Sequence, residues 1–399
     1  MSEWREKPLG QVARLSWGDT STTKASYAPS GWPAYSASGR DGFLPHFDHE
    51  EDAVVISAIG ALCGKTWLAR GRWSCIKNTM WMRALPGEAD NRFLYHATRR
   101  SDFWPRRGAA QPFISLGDAR STLVELPPVG TQRRIAAVLS AFDELIEINE
   151  RRIEVLEDLA RSLYREWFLC FRFPGHAEVD FVDSQLGPIP DEWRVEPTQE
   201  VLRPVGGGTP SKKRSDYWEG GQIAWFTPSD LTKSGIRYLA DSGSRITTLG
   251  LAKSGARLFP AGSVLMTSRA TLGVLGITTT DATCNQGFIV IPPVEGIPAE
   301  FIYEWLATQK DQLESIATGA TFKEITKTAF ARFPFLLPTR EALARFKDRI
   351  APIGDQLGLC EGHIRALTAT RDLLLPRLVT GRLDISDIDL GELLPAAAA

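Results

Sequence analysis

The chain has 399 residues, 43% hydrophobic and 24% charged, with a formal net charge of −2; this is enough for two or three domains with real cores and excludes a globally polycationic nucleic-acid binder, leaving only local basic patches for that role. Its five cysteines (Cys63, Cys75, Cys170, Cys284 and Cys360) are odd in number and form no Cys-x-x-Cys pair, which excludes a disulfide framework or zinc site and fits a reducing cytoplasm. The start of the chain has no apolar signal core and nowhere do 18 apolar residues run together, so neither a secretion signal nor a membrane span is expected.

In chain order, His46-x-x-His49 with Glu50, Glu51 and Asp52 looks metal-like. Helical zinc sites place histidines at i and i+4, and this cluster sits beside Pro45, so a solvated loop is expected. Ala53-Val-Val-Ile-Ser57 is a short apolar strand bounded by turn residues. Gly60-Ala-Leu-Cys-Gly64-Lys65-Thr66 resembles a phosphate-binding loop but has three residues between the glycines, where four are needed to wrap the phosphates. A turn between strands is expected there, with Lys65 as a candidate phosphate contact. Arg99, Arg100, Arg106 and Arg107 oppose only Asp102, with Phe103 and Trp104 among them; such a patch can neutralise phosphates.

From Thr131 to Phe168 there is no Gly or Pro, and Ile135, Val138, Leu139, Phe142, Leu145, Ile146, Ile148, Ile153, Leu156, Leu159 and Leu163 recur mostly three and four apart. That stripe predicts an amphipathic helix of about 57 Å. A second helix is expected from Glu341 to about Val379, kinked or shortened by Pro352, Gly354, Gly358 and Gly362. So long a stripe needs a partner: either the two helices pair as an antiparallel coil, or they are separate tails for other proteins.

The second half of the chain repeats the first. Trp4-Arg5 recurs as Trp193-Arg194, Gly18 as Gly207 and Thr20 as Thr209, at an offset of 189. Further on Gly64 matches Gly273 and Cys75 matches Cys284, and later Pro127 matches Pro338 and Glu150 matches Glu361. The growing offset predicts an insertion of about twenty residues in the second copy, within Pro228–Leu249. A unit this long is a duplicated module, not a solenoid repeat. In the second copy Gly206-Gly-Gly-Thr-Pro210 is a loop. Lys212, Lys213 and Arg214 follow it as a second basic stretch, and Ser263–Thr267 and Gln286–Ile291 are apolar runs. Arg269, Thr271 and the segment Pro228–Arg245 are candidate base readers, being of the types that reach groove edges. Trp193, Trp218 and Trp225 are expected in the core.

Pro127-Pro-x-x-x-Gln-Arg-Arg-Ile135 with Asp143-Glu-Leu-Ile146 resembles the central conserved region of Type I restriction–modification specificity subunits. Gly207-Gly-Thr-Pro-Ser211 with Tyr217-Trp218, and Arg269-Ala-Thr-Leu-Gly273 with Cys284-Asn-Gln-Gly-Phe288, resemble segments of their target recognition domains. Position 269 is Arg where that family often has Gly, and the first head reads Asn78-Thr-Met-Trp81 where the pattern is Asn-Gln-x-Phe. The resemblance covers nearly the whole chain. It implies an α+β, pseudo-two-fold protein with two mixed α/β target recognition domains separated by a long antiparallel two-helix coiled coil. The expected domains are 1–126 (first recognition domain), 127–170 (first long helix), 171–191 (linker), 192–337 (second recognition domain), 338–384 (second helix) and 385–399 (tail). It further implies double-stranded DNA as ligand, two methyltransferase (modification) subunits, and restriction/translocase subunits as partners. S-adenosylmethionine, ATP and Mg belong to those partners; this chain would carry no cofactor, no metal and no catalytic residue. The DNA-contact candidates are Lys65, Arg99, Arg100, Arg106, Arg107, Lys212, Lys213, Arg214, Arg269 and Thr271. The competing readings are a coiled-coil scaffold that never touches DNA and a P-loop NTPase built on Gly60–Thr66.

Overall fold

The computed structural model describes residues 4–269, 271–319 and 323–385. The chain forms two compact units, Met1–Glu147 with Arg365–Ala399, and Ile148–Ile364. Among the described residues no helix is long and apolar enough to cross a membrane. The expected C-terminal tail, beyond Ile385, lies outside the described residues.

In the first unit, β1 (Arg5–Pro8) pairs antiparallel with β9 (Leu123–Leu126). Strands β2 (Ala13–Trp17), β8 (Thr79–Ala84), β5 (Ala53–Ser57) and β6 (Thr66–Ala69) form a four-stranded antiparallel sheet in that order. Strand β5 reads as an unbroken apolar run because it is central and buried on both faces. A second sheet joins β3 (Trp32–Ser36) to β4 (Gly39–Leu44) and, in parallel, to β7 (Ser74–Cys75). Helix α1 (Asn91–Thr98) is started by Asp90, whose carboxylate accepts from the amides of Arg92 and Phe93, the usual way to satisfy the orphan donors of a first turn. Phe93 and Leu94 of α1 then join Val54, Ile56, Met80 and Met82 in the core, together with Ile135 and Leu139 from one long helix and Leu375, Leu378 and Val379 from the end of the other.

The second unit repeats this plan. Strand β10 (Arg194–Pro197) pairs antiparallel with β19 (Pro334–Leu337), so that Arg194 faces Leu337 as Arg5 faces Leu126. One sheet contains β11 (Val205–Gly206), β18 (Phe288–Ile291), β15 (Val264–Thr267), β16 (Leu275–Thr278) and β13 (Tyr238–Leu239); another contains β14 (Arg245–Ile246), β12 (Ile223–Phe226) and β17 (Ala282–Cys284). The parallel pair β12–β17 sets Phe226 against Cys284, as β3–β7 sets Tyr35 against Cys75. The extra chain of this copy lies between β12 and β15. It includes α3 (Pro228–Ser234), which opens with a Thr227–Asp230 capping box and closes on Gly235 in the left-handed region. Helix α4 (Ala299–Thr308) covers the sheet as α1 does in the first unit.

Helix α2 (Val129–Tyr164) continues through a wider turn at Arg165–Leu169. Helix α5 runs unbroken from Arg340 to Leu378, close to the expected span, so the expected shortening at Pro352, Gly354, Gly358 and Gly362 does not occur. Tertiary packing overrides the local penalty: Phe346, Ile350 and Leu357 are buried, and a side chain at Gly354 would stand 2.4 Å from the Tyr238 hydroxyl, so this glycine makes room for a close neighbour. Each unit holds one part of each long helix. In the second unit Tyr164 and Phe168 cluster with Phe301 and Phe346, with Phe168–Phe301 ring centroids 4.7 Å apart. Residues 171–191, expected as a linker, contain an antiparallel pair, Phe181–Ser184 with Gly187–Pro190, and send Phe173 and Ile189 into that core.

Candidate nucleic-acid interface

Each unit brings five backbone segments to one end of its sheets, and the same four hydrogen bonds join them in both. In the first unit the Asp19 amide donates to the Cys75 carbonyl (2.8 Å), the Ile76 amide to Tyr35 (2.9 Å), the Ala58 amide to Asn78 (3.0 Å) and the Ile114 amide to Ala58 (2.9 Å). In the second, Gly208 donates to Cys284 (2.9 Å), Asn285 to Phe226 (3.0 Å), Ser268 to Gly287 (2.8 Å) and Ile325 to Ser268 (3.0 Å). The glycines that recur in the sequence explain themselves here. A side chain at Gly18 would lie 2.6 Å from the Cys75 carbonyl oxygen, and one at Gly207 would lie 2.2 Å from that of Cys284, so only glycine lets this loop press onto the turn. Both cysteine thiols are pushed up to about 12 by burial, so they pack as small apolar groups and not as nucleophiles.

The loops of the second unit are held from outside as well. The Trp225 indole donates to the Gly208 carbonyl (3.0 Å) and the Trp218 indole to that of Ser211 (3.1 Å), while the two rings meet edge to face. These tryptophans are partly core, as expected, but they also hold the glycine loop, a role with no signal in composition alone. The Thr209 hydroxyl donates to Gln286 Oε1 (2.6 Å), and Asn285 Oδ1 accepts from the Gly287 amide (2.8 Å). In the first unit Asp19 accepts from Ser21 and Thr22, which holds its carboxyl at about 2 and keeps it ionised.

The sequence-chosen cations separate into two groups. Lys65 is exposed on the turn between β5 and β6, and the Arg106 guanidinium lies against neighbouring Gly64 while donating to the Ser101 carbonyl. Arg107 is at the base of the adjoining loop, mostly exposed but paired with Asp118 at 2.5 Å. Arg99 points elsewhere: it pairs with Asp143 of α2 at 2.8 Å, beside Arg371 of α5, which pairs with the same carboxylate at 2.7 Å. Arg100 pairs with Asp102 and lies over Phe103. The basic run from 99 to 107 is therefore not one patch. In the second unit Lys212 and Lys213 are exposed, Arg214 is held by both oxygens of Asp216, and Arg269 is paired with Glu324 at 2.7 Å. Thr271 is exposed on the β15–β16 loop, where its carbonyl accepts from the Thr267 hydroxyl.

Gly60–Thr66 is the turn of a β-hairpin, with Gly64 donating to Ser57 and Ser57 donating to Lys65. A strand follows it and not a helix, so the NTPase reading loses the strand–loop–helix geometry that cradles phosphates. His49 is half-buried and stacks on Trp73 with centroids 4.2 Å apart; burial holds its pKa below the usual histidine value. Among the described residues no group of three His, Cys, Asp or Glu side chains is arranged to hold a metal.

Comparison with known proteins places these features in context. The family model for the Type I restriction modification DNA specificity domain matches residues 1–158 and 190–361. The specificity subunit of the MjaIX Type I restriction enzyme of Methanocaldococcus jannaschii is 34% identical over 166 residues, covering 41% of this chain and 38% of that one. The HindI specificity subunit of Haemophilus influenzae is 21% identical over 335 residues, 69% of this chain and 72% of that one. The crystal structure of the Type I restriction–modification S subunit of M. genitalium shares the fold, with a TM-score of 0.66 over 94% of this chain and 96% of that one at 16% identity. Two matched stretches, one per copy of the repeat and together spanning most of the sequence, establish that the chain belongs to the Type I restriction modification DNA specificity family.

Proposed function

We propose that this chain is the DNA-reading subunit of a Type I restriction–modification complex, recognising an asymmetric two-part site and performing no chemistry itself. The observation that carries this reading is the family match in both copies of the repeat, joined to the loop cluster at the sheet ends, the tip of each unit, which both build with the same backbone hydrogen bonds and different side chains. Lys65, Arg106, Lys212 and Lys213 supply phosphate contacts, which give affinity and position but no sequence. Arg99 is reassigned to holding α1 on α2 through Asp143.

In this reading the recognition domains are residues 1–126 and 192–337, and the long helices pair as an antiparallel coiled coil that acts as spacer. Half-sites read in the major groove then fall one or more helical turns apart, each about 34–36 Å. Methyltransferase subunits carry S-adenosylmethionine and restriction subunits carry ATP and Mg. The exposed Val155, Leu159 and Leu359 of the helices are the apolar surface we assign to the methyltransferase subunits.

The test is co-expression of the full chain with its methyltransferase subunits, followed by sequencing that detects methylated adenine. One motif with two different half-sites and a fixed spacer is expected. Removing seven residues from each helix is expected to change the spacer and leave the half-sites alone. Methylation without a sequence motif, or a motif that persists when this chain is deleted, refutes the reading and favours a scaffold that never touches DNA.

A further inference from the structure

We propose that Lys77 in the first unit and Gln286 in the second occupy the same base-reading position and set the identity of one base in each half-site. This rests on the DNA-reading function proposed above.

The position is defined by backbone. Both residues lie in the middle of the turn that follows the buried cysteine, Cys75-Ile76-Lys77-Asn78 and Cys284-Asn285-Gln286-Gly287. The four pairs of matching hydrogen bonds described above fix these turns against the same neighbours. The last residues of the two turns differ in backbone: Asn78 has φ of 70°, a left-handed conformation that Asn tolerates among non-glycine residues, whereas Gly287 is not in the left-handed region and instead makes room for close neighbours. A side chain there would meet Asn285 Oδ1 at 3.0 Å and Pro228 at 3.1 Å.

Within the turn the middle side chain is the most exposed, Asn78 and Asn285 being half-buried. Cys75, Ile76 and Cys284 are buried, and Asn285 Oδ1 is occupied by the Gly287 amide. Lys77 and Gln286 are exposed. The Gln286 carboxamide is also oriented: Thr209 donates to its oxygen at 2.6 Å, which fixes the amide and leaves the oxygen a second lone pair. A side chain already fixed in this way loses little freedom on binding.

The chemistry of the two groups differs in the way that distinguishes bases. A glutamine offers a donor and an acceptor, which match the N7 acceptor and N6 donor of adenine in the major groove. A lysine offers donors alone, which match the N7 and O6 acceptors of guanine. The same turn therefore asks for adenine in the half-site of the second unit and guanine in that of the first. Arg269 is a weaker reader because both of its bonded nitrogens already face Glu324.

The experiment uses the full chain co-expressed with its methyltransferase subunits, read out by the methylated motif. Gln286→Ala is expected to relax a single adenine position of one half-site, with discrimination falling about five- to hundredfold, and to leave the other half-site intact. Gln286→Lys is expected to move that position from adenine to guanine, and Lys77→Gln to move one position of the other half-site from guanine to adenine. Thr209→Val keeps the glutamine but frees it, and is expected to weaken the same position. A motif unchanged in Gln286→Ala and Lys77→Gln overturns the proposal. So does a uniform loss across all positions while the melting temperature stays at the unmodified value, since that is the mark of a phosphate contact. If the unmodified chain yields no motif at all, the DNA-reading function itself fails, which separates the two failures.

Discussion

Replacing Arg237 by methionine removes a cation that joins two helices of the second unit, while leaving its backbone bond to a third. Arg237 lies in the extra segment between α3 and β13, and its side chain is 1% exposed. It pairs with Glu304 of α4 at 2.6 Å, chelates both oxygens of Glu157 on α2, and lies over the Tyr303 ring at 4.0 Å. Its backbone amide donates to Glu361 of α5 at 2.6 Å. The magnitude follows from burial. Glu157 keeps partial access to water, with 24% of its side chain exposed, whereas Glu304 keeps 2%. Without Arg237, Glu304 is an uncompensated buried charge, and breaking such a pair from one side costs about 3–5 kcal/mol. That is a large part of the roughly 5–15 kcal/mol that holds a domain together.

The assay is urea or thermal unfolding of the full chain, following the transition of the second unit. For a unit of this size the loss corresponds to a melting temperature lower by about 6–20 °C. A second variant isolates the cause. Arg237→Met with Glu304→Leu replaces the pair by apolar groups, an exchange that is often near neutral, so it is expected to recover more than half of the loss. If the single variant costs under about 1 kcal/mol, or if the double variant equals the sum of its parts, the buried pair is not what ties these helices.

Three further outcomes follow from the same reasoning. His96 is buried against Ser140, and burial together with Arg99 and Arg371 holds its pKa well below 6.5; the unfolded chain then binds the extra proton first. Stability of the first unit is therefore full above pH 6.5 and falls below it, with a slope approaching 1.4 kcal/mol per pH unit, and His96→Gln is expected to flatten a plot of denaturation midpoint between pH 7.5 and 5. Gly207→Val drives a side chain into the Cys284 carbonyl; a cost of about 1–3 kcal/mol and lost motif methylation are expected, against little effect from Gly255→Ala, where a side chain meets open space on backbone outside the left-handed region. Phe346→Ala opens the aromatic cluster around Phe168 and is expected to cost about 3–5 kcal/mol, measured by the same unfolding assay.

The duplication was legible because it rests on residues whose roles are steric. Gly18 and Gly207 each meet a cysteine, and such close approaches fix residue type across a long separation. Helix α2 was legible because a stripe of three-and-four spacing has one interpretation at that length. The continuity of α5 was not, because Pro and Gly carry local penalties that the sequence displays, whereas Phe346, Ile350 and Tyr238 carry compensating contacts that it does not. The linker reading of 171–191 missed Phe173 and Ile189 for the same reason: short apolar pairs have no periodicity until the core they enter is known.

Charge was the least legible property at the tip. Four arginines within nine positions looked like one surface, yet Arg99 answers to Asp143, 44 residues away, and Arg107 to Asp118. A run of cations records proximity along the chain, while its availability to phosphate depends on acids that tertiary structure brings up. The reverse holds for Lys77 and Gln286. Neither has a neighbour in sequence that marks it, and they gain meaning only when the strand registers place both after the buried cysteine of the same turn. A duplicated fold separates the two kinds of information: what must be identical to build the tip stays identical, as in the paired amide bonds of Ala58 and Ser268, and what differs on that shared frame is free to specify different bases. On the function proposed above, two copies of one frame with unlike readers on them are enough for a single chain to read an asymmetric site.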